Sequence, residues 1–175
     1  MIEGNKVYLG PVEKRHLDQM LQWRNDKRFR QYYREYRILN SENQMRWWCD
    51  KIMDDDSWQF FVIHPKDDVK KIIGTTGLTY IHPINMAAEM AITIGDSEYR
   101  GGGYGSDALR ALINYGFYEL NLNRIWCEVY SNNAAIDFYK HIGFKEEGVL
   151  RESYFCDGTY WNSHILSILR SEWNK

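Results

Sequence analysis

Four glycines fall within five positions at the junction of a strand-like and a helix-like segment. Residues 92–112 read ITIGDSEYRGGGYGSDALRAL, in which alternating apolar residues lead into the glycines and helical spacing follows them. The first N–H groups of a helix lack intrahelical partners, and glycine lets an anion approach them without meeting a Cβ. Arg100, directly before the glycines, adds a cationic donor. The stretch therefore predicts a strand, an anion-binding loop suited to a diphosphate, and a helix; the alternative is a turn that merely joins the two elements.

Length and charge narrow the possibilities further. A chain of 175 residues is about the size of one domain, so we expect a single domain over 1–175. The net charge of -2 argues against a general electrostatic grip on nucleic acid or on an anionic membrane, so any anion must be bound locally. The N-terminal segment lacks a targeting pattern, and no apolar run approaches the ~20 residues of a membrane span. The chain has three cysteines, Cys49, Cys127 and Cys156, and their spacing does not match a metal site. We expect them to be buried free thiols, which predicts a cytoplasmic protein with no metal site.

The periodicity of apolar residues predicts the order β-α-α-β-β-β-α-β-α-β-β. We predict strands at 6–10, 58–64, 71–81, 89–95 and 124–130, and helices at 13–26, 41–53, 106–120 and 133–144. The second helix begins with a capping-box pattern, Ser41 with Gln44. The segment 148–169 is typical of a hairpin because its Asp157-Gly158 pair suits a type I′ turn. Short connections between the central strands indicate antiparallel pairing, so the predicted fold class is α/β (α+β), a mixed, mostly antiparallel sheet with helices on both faces.

The glycine loop matches the motif of a dinucleotide site. Residues 103–108, GYGSDA, fit the fingerprint G-x-G-x-x-A, and Glu128 lies about twenty residues on, where an acid that binds ribose would stand. That fingerprint normally follows its strand directly within a parallel sheet, whereas DSEYRG intervenes here and the preceding strands are predicted to be antiparallel. An NAD(P)-dependent enzyme is therefore one open interpretation of the loop.

Read as R-x-x-G-x-G, the same loop resembles the pyrophosphate-binding motif of the GNAT superfamily of N-acetyltransferases. The stretch VYSNNAAIDFYKHIGFKEEG resembles a second signature of that superfamily, an asparagine eleven residues before the Gly-Phe that ends a short helix. The predicted element order is similar over nearly the whole chain, most of all to the RimL-type branch of ribosomal-protein N-terminal, spermidine and amino-sugar acetyltransferases. The resemblance implies an acyltransferase that moves the acetyl group of acetyl-CoA to a primary amine by direct attack in a ternary complex, without a metal. A CoA-binding module that lacks catalysis is a further alternative.

The resemblance also implies which residues bind the coenzyme. Two neighbouring strands splay apart in the family, and the exposed backbone of the first would pair with the pantetheine arm. The loop amides would bind the pyrophosphate, and Asn132 would contact the pantetheine, although an asparagine here could equally cap the following helix. The implied coenzyme-binding residues are Ile92, Thr93, Ile94, Arg100, Gly101, Gly102, Gly103, Tyr104, Gly105, Ser106, Asn132 and Tyr139.

Two residues are the implied catalytic groups. Tyr139 falls where many relatives place the tyrosine that protonates the CoA sulfur, and a phenol stays protonated at neutral pH; aromatic packing is its alternative role. Glu89 starts the predicted strand 89–95 and could accept the proton of the acceptor ammonium, directly or through water. A solvated carboxylate at a strand end is the alternative, and His82 and His164 are other candidate bases.

The acceptor is predicted to be a small molecule such as an amino sugar or a polyamine, with a protein N-terminus as the alternative. The segment 22–37, QWRNDKRFRQYYREYR, would suit a phosphorylated amino sugar, since arginine binds phosphate and aromatic rings stack on bases; a solvated face is the alternative. Its WRND element is similar to one in sugar-nucleotide acetyltransferases. A polyamine needs clustered carboxylates, but three adjacent acids, Asp54, Asp55 and Asp56, cannot all face one cleft. Relatives are commonly homodimers.

Overall fold

The computed structural model describes residues 1–173 of the chain and builds its strands into one sheet. The strands are β1 (Ile2–Glu3), β2 (Val7–Pro11), β3 (Gln59–Pro65), β4 (Gly74–His82), β5 (Ala87–Ile94), β6 (Arg124–Tyr130), β7 (Lys145–Cys156) and β8 (Thr159–Leu169). Their order across the sheet is β1-β2-β3-β4-β5-β6-β8-β7. Within the described residues, neighbouring strands pair antiparallel except β5 and β6, which pair in parallel.

Five α-helices connect these strands in the part of the chain that the structure describes. They are α1 (Leu17–Asn25), α2 (Lys27–Arg30), α3 (Ser41–Trp47), α4 (Tyr104–Tyr118) and α5 (Ala135–Ile142). A π-helical turn, Trp48–Met53, continues α3, and 3-10 turns lie at Lys14–His16, Ser97–Tyr99 and Arg170–Glu172. None of the helices between residues 1 and 173 has the length and apolar character needed to cross a bilayer.

Strand β3 separates two apolar cores because its alternating side chains point to opposite faces of the sheet. Ile63 is fully buried in the core that contains Leu112 of α4. Its neighbour Val62 is fully buried in a second core with Met20 of α1, against which Trp47 of α3 packs. Helices therefore cover both faces, and the predicted fold class is confirmed.

The predicted elements occur in the predicted order, but one strand (β1) and one short helix (α2) were missed and several boundaries moved. The two-residue β1 pairs with β2 and was absent from the predicted order, since two residues carry no readable period. The predicted helix 13–26 is a 3-10 turn followed by α1, and Asp26 starts α2 by accepting the Arg28 N–H. The predicted helix 41–53 is α-helical only as far as Trp47.

The capping box predicted for that helix is wrong by one residue. Asn40 is the extended N-cap, and its side chain accepts the Asn43 N–H at 2.9 Å while Asn43 accepts the Asn40 N–H at 3.1 Å. Ser41 is instead the first helical residue, and Gln44 is buried. The reason is that asparagine caps a helix as well as serine does, and that Gln44 points into the protein to accept a hydrogen bond from Arg24.

The hairpin of β7 and β8 turns as the sequence predicted. Asp157 has φ 49° and Gly158 has φ 78°, the positive values that both central residues of a type I′ turn require. Near this turn, the Tyr154 ring stacks on Tyr130 of β6, with 3.7 Å between ring centres. The Tyr154 hydroxyl donates to the carbonyl of Gln31 at 3.0 Å, so the hairpin holds the segment after α2 beside β6.

Candidate functional site

The parallel pair β5 and β6 opens after three residues. β5 pairs with β6 only from Ala87 to Glu89, opposite 124–126, and then continues along β4 to Ile94 while β6 follows β8. A cavity of about 1110 Å3 lies along the opening and is lined by both strands. An unpaired strand edge presents N–H and C=O groups that an extended ligand can bind. The three residues predicted to pair with such a ligand, Ile92, Thr93 and Ile94, all line this cavity.

The glycine loop lies at one end of the cavity. Gly101 and Gly103 have φ values of 74° and 83°, a left-handed conformation that strains other residues, and α4 begins directly afterwards at Tyr104. Gly105 and Ser106, in the first turn of α4, also line the cavity. The start of a 15-residue helix therefore faces the cavity with unpaired N–H groups and the positive end of its dipole. Gly102 and Tyr104 belong to the loop but do not line the cavity.

The N-terminal turn fixes the loop from behind. The Asp107 carboxylate accepts the backbone N–H groups of Asn5, Lys6 and Val7 at 2.9, 2.7 and 3.1 Å. The Lys6 Nζ donates to the carbonyl of Gly102 at 2.8 Å. These bonds direct the Gly102 carbonyl and the Asp107 carboxylate toward the N-terminal segment. The cavity side of the loop is left with its N–H groups.

The Arg100 side chain is exposed and lies at the edge of the cavity. Its Nε donates to the carbonyl of Ile94 at 3.1 Å, and its guanidinium carbon is 4.3 Å from the ring centre of Phe29. No other hydrogen bond of this guanidinium involves a residue within 1–173. Its remaining N–H groups can therefore bind an anion at the loop.

The structure separates the two roles considered for Asn132. The N-cap position of α5 is Ala134, and the Asn133 Oδ1 just before it accepts the Ala135 N–H at 3.0 Å, so the alternative that Asn132 caps the helix is wrong. The Oδ1 of Asn132 is buried and, among the described residues, has no hydrogen-bond partner. A buried acceptor without a partner is costly, but this oxygen is not placed to meet a ligand in the cavity. Asn133, not Asn132, lines the cavity.

Tyr139 lies on α5 in the wall of the cavity. It is 8% exposed and packs edge-on against Phe138 and Phe144, with ring centres 5.2 and 5.6 Å away. Its hydroxyl makes no hydrogen bond to another described residue. Burial, with a smaller contribution from Cys127, raises the pKa of Tyr139 well above its usual value. The residue is therefore a packed aromatic that also keeps a protonated O–H available to a ligand.

Arg34 joins two carboxylates where the strands part. It donates Nη1 and Nη2 to the two carboxylate oxygens of Glu89 at 2.9 and 2.6 Å, and Nη2 also reaches Glu128 at 2.5 Å. Glu89 is 8% exposed, so the alternative of a solvated strand-end carboxylate is wrong. Both oxygens of Glu89 are bonded to Arg34, and a proton can reach them only at their remaining lone pairs or after Arg34 moves. Hydrogen bonds and charge from the two glutamates outweigh burial and raise the pKa of Arg34.

Sequence reasoning missed Arg34. It is one of several arginines in 22–37, and nothing in their spacing indicates which of them reaches the strands. Glu128, proposed in the dinucleotide interpretation as an acid that binds ribose, is instead part of this ion-pair cluster. The sheet is mostly antiparallel, unlike the parallel doubly wound sheet that the fingerprint at 103–108 requires, so that interpretation is wrong.

The other candidate bases lie outside the cavity. His82 accepts the Asn85 N–H in the turn between β4 and β5. His164, on β8, pairs with Glu146 at 2.7 Å and contacts Ser131 at 3.0 Å. Neither histidine lines the cavity.

The acidic triplet and the cysteines also have structural roles. Asp55 pairs with Lys51 at 2.9 Å and accepts the Ser57 hydroxyl at 2.6 Å, and neither Asp54 nor Asp56 lines the cavity. Burial raises the pKa of the Cys127 thiol, which keeps it protonated and unreactive. Among residues 1–173, no group of His, Cys, Asp and Glu side chains is arranged to hold a metal ion.

The rest of the cavity is aromatic and arginine-rich, as the composition of 22–37 predicted. Trp23 packs on the end of β5, where a Cβ added to Gly95 would come within 2.2 Å of its ring. The segment 22–37 contributes Trp23, Arg24, Phe29, Tyr32, Tyr33, Arg34, Glu35, Tyr36 and Arg37 to the lining. The Tyr33 hydroxyl donates to the Thr93 hydroxyl at 3.0 Å, which brings this segment over the open edge of β5.

Known proteins are similar to this chain in sequence and in fold. A family model described as "Acetyltransferase (GNAT) domain" matches residues 6–145. Spermidine N(1)-acetyltransferase of Vibrio cholerae is 29% identical over 153 residues, which cover 79% of this chain and 87% of that protein. A putative ribosomal N-acetyltransferase of Bacillus subtilis is 33% identical over 103 residues, which cover 58% of this chain and 56% of that protein.

The fold is similar over a greater length. A crystal structure of spermidine N-acetyltransferase from Vibrio cholerae in complex with CoA and spermine superposes with a TM-score of 0.86 at 27% sequence identity. The superposition covers 95% of this chain and 97% of that one. The opening between β5 and β6 is thus part of a fold shared with a CoA-binding acetyltransferase.

Proposed function

The chain belongs to the GNAT acetyltransferase family, and we propose that it transfers the acetyl group of acetyl-CoA to the primary amine of a small molecule. The observation that carries this proposal is the opening of β5 from β6 beyond Glu89, with the glycine loop at its end and Tyr139 in its wall. The resident groups fit the coenzyme on two counts: unpaired helix N–H groups and an unpaired strand edge. Acetyl-CoA supplies a thioester, whose carbonyl is activated toward an amine.

Binding is assigned to the backbone in this proposal. The N–H groups of 101–106 bind the diphosphate, assisted by Arg100, because glycine backbone at a helix start suits an anion. The edge of β5 at 92–94 pairs with the pantetheine arm as an added strand would. An N–H near Ile92 polarises the thioester carbonyl. Much of the rate comes from holding donor and amine in contact, an effect worth up to ~7–11 kcal/mol.

Two side chains move protons in this proposal. Tyr139 gives its phenolic proton to the departing sulfur, which its position in the cavity wall and its lack of a protein partner support. Glu89 takes the proton of the acceptor ammonium, through water or after Arg34 has shifted.

Release of free thiol from acetyl-CoA in the presence of an amine panel tests the proposal. The panel contains polyamines, free and nucleotide-linked amino sugars, and ribosomal N-terminal peptides. We expect thiol release with a small-molecule amine and calorimetric binding of acetyl-CoA and CoA but not NADH. Binding of NADH without acetyl-CoA would contradict the proposal, and binding of acetyl-CoA without thiol release would favour a CoA-binding module.

The setting of the reaction completes the proposal. Three free cysteines within residues 1–173 suit a reducing compartment, and we place the reaction in the cytoplasm. Membership of the RimL-type branch and assembly into a homodimer are part of the same proposal, and light scattering of the purified protein measures the second.

A further inference from the structure

Two guanidinium groups that line the cavity have no carboxylate partner among the described residues, those of Arg24 and Arg100, and Arg100 lies at the glycine loop proposed for the coenzyme. Arg24, at the end of α1, lines the cavity and donates Nη1 to Gln44 Oε1 at 3.0 Å. Its guanidinium carbon is 5.3 Å from the ring centre of Trp47. Within residues 1–173 it forms no ion pair and no other hydrogen bond, so most of its N–H groups have no protein partner.

The two other arginines of the segment that line the cavity, Arg34 and Arg37, differ in this respect. Arg34 is paired with two glutamates, and Arg37 holds Glu35 by two bonds of 2.8 and 2.7 Å. Tyr33 and then Glu35 are the neighbours that most raise the pKa of Arg24, yet the Glu35 carboxylate is already bound by Arg37. Burial, aided by repulsion from Arg37, lowers the pKa of Arg24 from its ordinary value despite these neighbours. Partial burial of a cation without a counter-charge is costly, which indicates that the counter-charge is an anionic group on a bound ligand.

A second donor nearby is also unsatisfied. The indole Nε1 of Trp58 is buried and has no hydrogen-bond partner among the described residues, and the Trp58 ring lines the cavity. Gln44, which supports Arg24 from behind, is 1% exposed and its Nε2 is likewise without a partner there. Since a guanidinium can only donate, the N–H groups of Arg24 that have no protein partner require a ligand that supplies acceptors.

We infer that the acceptor amine carries an anionic oxygen group, a carboxylate or a phosphate, which Arg24 binds. This inference rests on the proposed N-acetyltransferase function and narrows its substrate class. The carboxylates that line the cavity, Glu35, Glu89 and Glu128, each have a guanidinium partner, so a polyamine would have to displace arginine to find a counter-charge. An acceptor with an amine at one end and an anion at the other leaves those ion pairs intact, and its anion pairs with the Arg24 guanidinium.

Calorimetric titration of matched amines into the CoA-saturated protein tests the inference independently of turnover. One pair is glucosamine and glucosamine 6-phosphate, another is pentylamine and 5-aminopentanoate, and spermidine is the polycationic arm. We expect one anionic member to bind roughly 10- to 100-fold more tightly than its neutral partner, as for a charge-assisted hydrogen bond. The phosphate and carboxylate pairs distinguish the two sources of the anion.

Variants at Arg24 assign the effect to this residue. Arg24→Gln should abolish the preference and Arg24→Lys should keep part of it, because lysine retains the charge but not the forked geometry. Arg28→Gln, on an exposed arginine of the same segment that pairs with Asp26, is the matched control and should keep the preference. Melting curves identify a misfolded Arg24→Gln protein, in which case the Arg24→Lys comparison decides.

Several results would overturn the inference. These are equal binding of the members of both pairs, a preference that survives in Arg24→Gln, tighter binding of spermidine than of either anionic probe, and weakened binding of CoA rather than of acceptor. Thiol release reports separately on the proposed function. If an anionic amine binds in an Arg24-dependent way but is not acetylated, the inference stands and the proposed enzyme activity fails. If spermidine is acetylated equally well with and without Arg24, the proposed activity stands and the inference fails.

Discussion

Replacing Tyr139 with phenylalanine removes a single oxygen atom from the cavity wall. The ring, which packs between Phe138 and Phe144, is retained. Because the hydroxyl has no hydrogen-bond partner among the described residues, the change breaks no bond within the protein. We therefore expect the free energy of unfolding to change by less than ~1 kcal/mol.

The effect on catalysis should be much larger. A positioned general acid typically contributes about 10²- to 10⁴-fold to the rate, so we expect the turnover number of Tyr139→Phe to fall by at least ~100-fold. The affinity for acetyl-CoA should fall less than ~10-fold, since at most one neutral hydrogen bond of about 0.5–1.5 kcal/mol is lost. Burial raises the pKa of Tyr139, so the phenol stays protonated and should cause no loss of activity up to about pH 10.

Thiol-release kinetics, calorimetry with acetyl-CoA and thermal melting measure the three quantities on the same preparations. Tyr115→Phe is the matched control, since Tyr115 is a partly buried tyrosine of α4 outside this cavity whose hydroxyl lies 3.4 Å from Gln59 Oε1. An unchanged turnover number in Tyr139→Phe would refute the acid role. Equal losses of turnover and affinity would instead assign the hydroxyl to coenzyme binding.

Three further predictions concern the loop, the ion-pair cluster and the sheet edge. Gly105→Ala should raise the free energy of unfolding by about 0.5–1 kcal/mol, because alanine favours the helical conformation in the first turn of α4. The same change should weaken CoA binding, because it places a methyl group beside the diphosphate. Melting curves and calorimetry that showed stability and CoA affinity rising or falling together would contradict this prediction. Arg34→Gln should leave the buried Glu89 carboxylate without its two bonds and lower the free energy of unfolding by about 1–3 kcal/mol in urea titration, and an unchanged value would mean that the pair is not formed in solution. Glu147 is held by Arg124 and has a pKa of about 2 against an ordinary 4.5, so the stability that this carboxylate contributes is present above pH 4.5 and is lost as pH falls through 2. Glu147→Gln should accordingly cost about 0.5–1 kcal/mol at pH 7, discounted for exposure, and the difference should shrink from pH 4.5 to 2; a difference that does not vary with pH would exclude the ion pair as its source.

The parts of the fold that could be predicted are those that depend on residues close together in the sequence. Alternation along β3 and the Asp157-Gly158 turn depend on neighbouring residues, and both are as predicted. The cap of α3 was misplaced because Asn40 and Ser41 are both good caps, and the choice depends on the burial of Gln44, which is a tertiary contact.

The candidate site was predictable only where backbone creates it. The glycine loop and the open edge of β5 follow from sequence pattern and from a family resemblance, and both line the cavity. Arg34 and Arg24 were not distinguishable from the other arginines of 22–37, because their roles depend on Glu89, Glu128 and Gln44, which lie far along the chain or on another helix. No periodicity records such long-range pairing.

The position of the diphosphate of bound CoA is the most direct test of the account. A crystal structure of the protein with CoA should show the diphosphate oxygens within hydrogen-bonding distance of the N–H groups of 101–106, and the pantetheine arm beside 92–94. A diphosphate bound elsewhere on the protein, with these N–H groups facing only water, would contradict it.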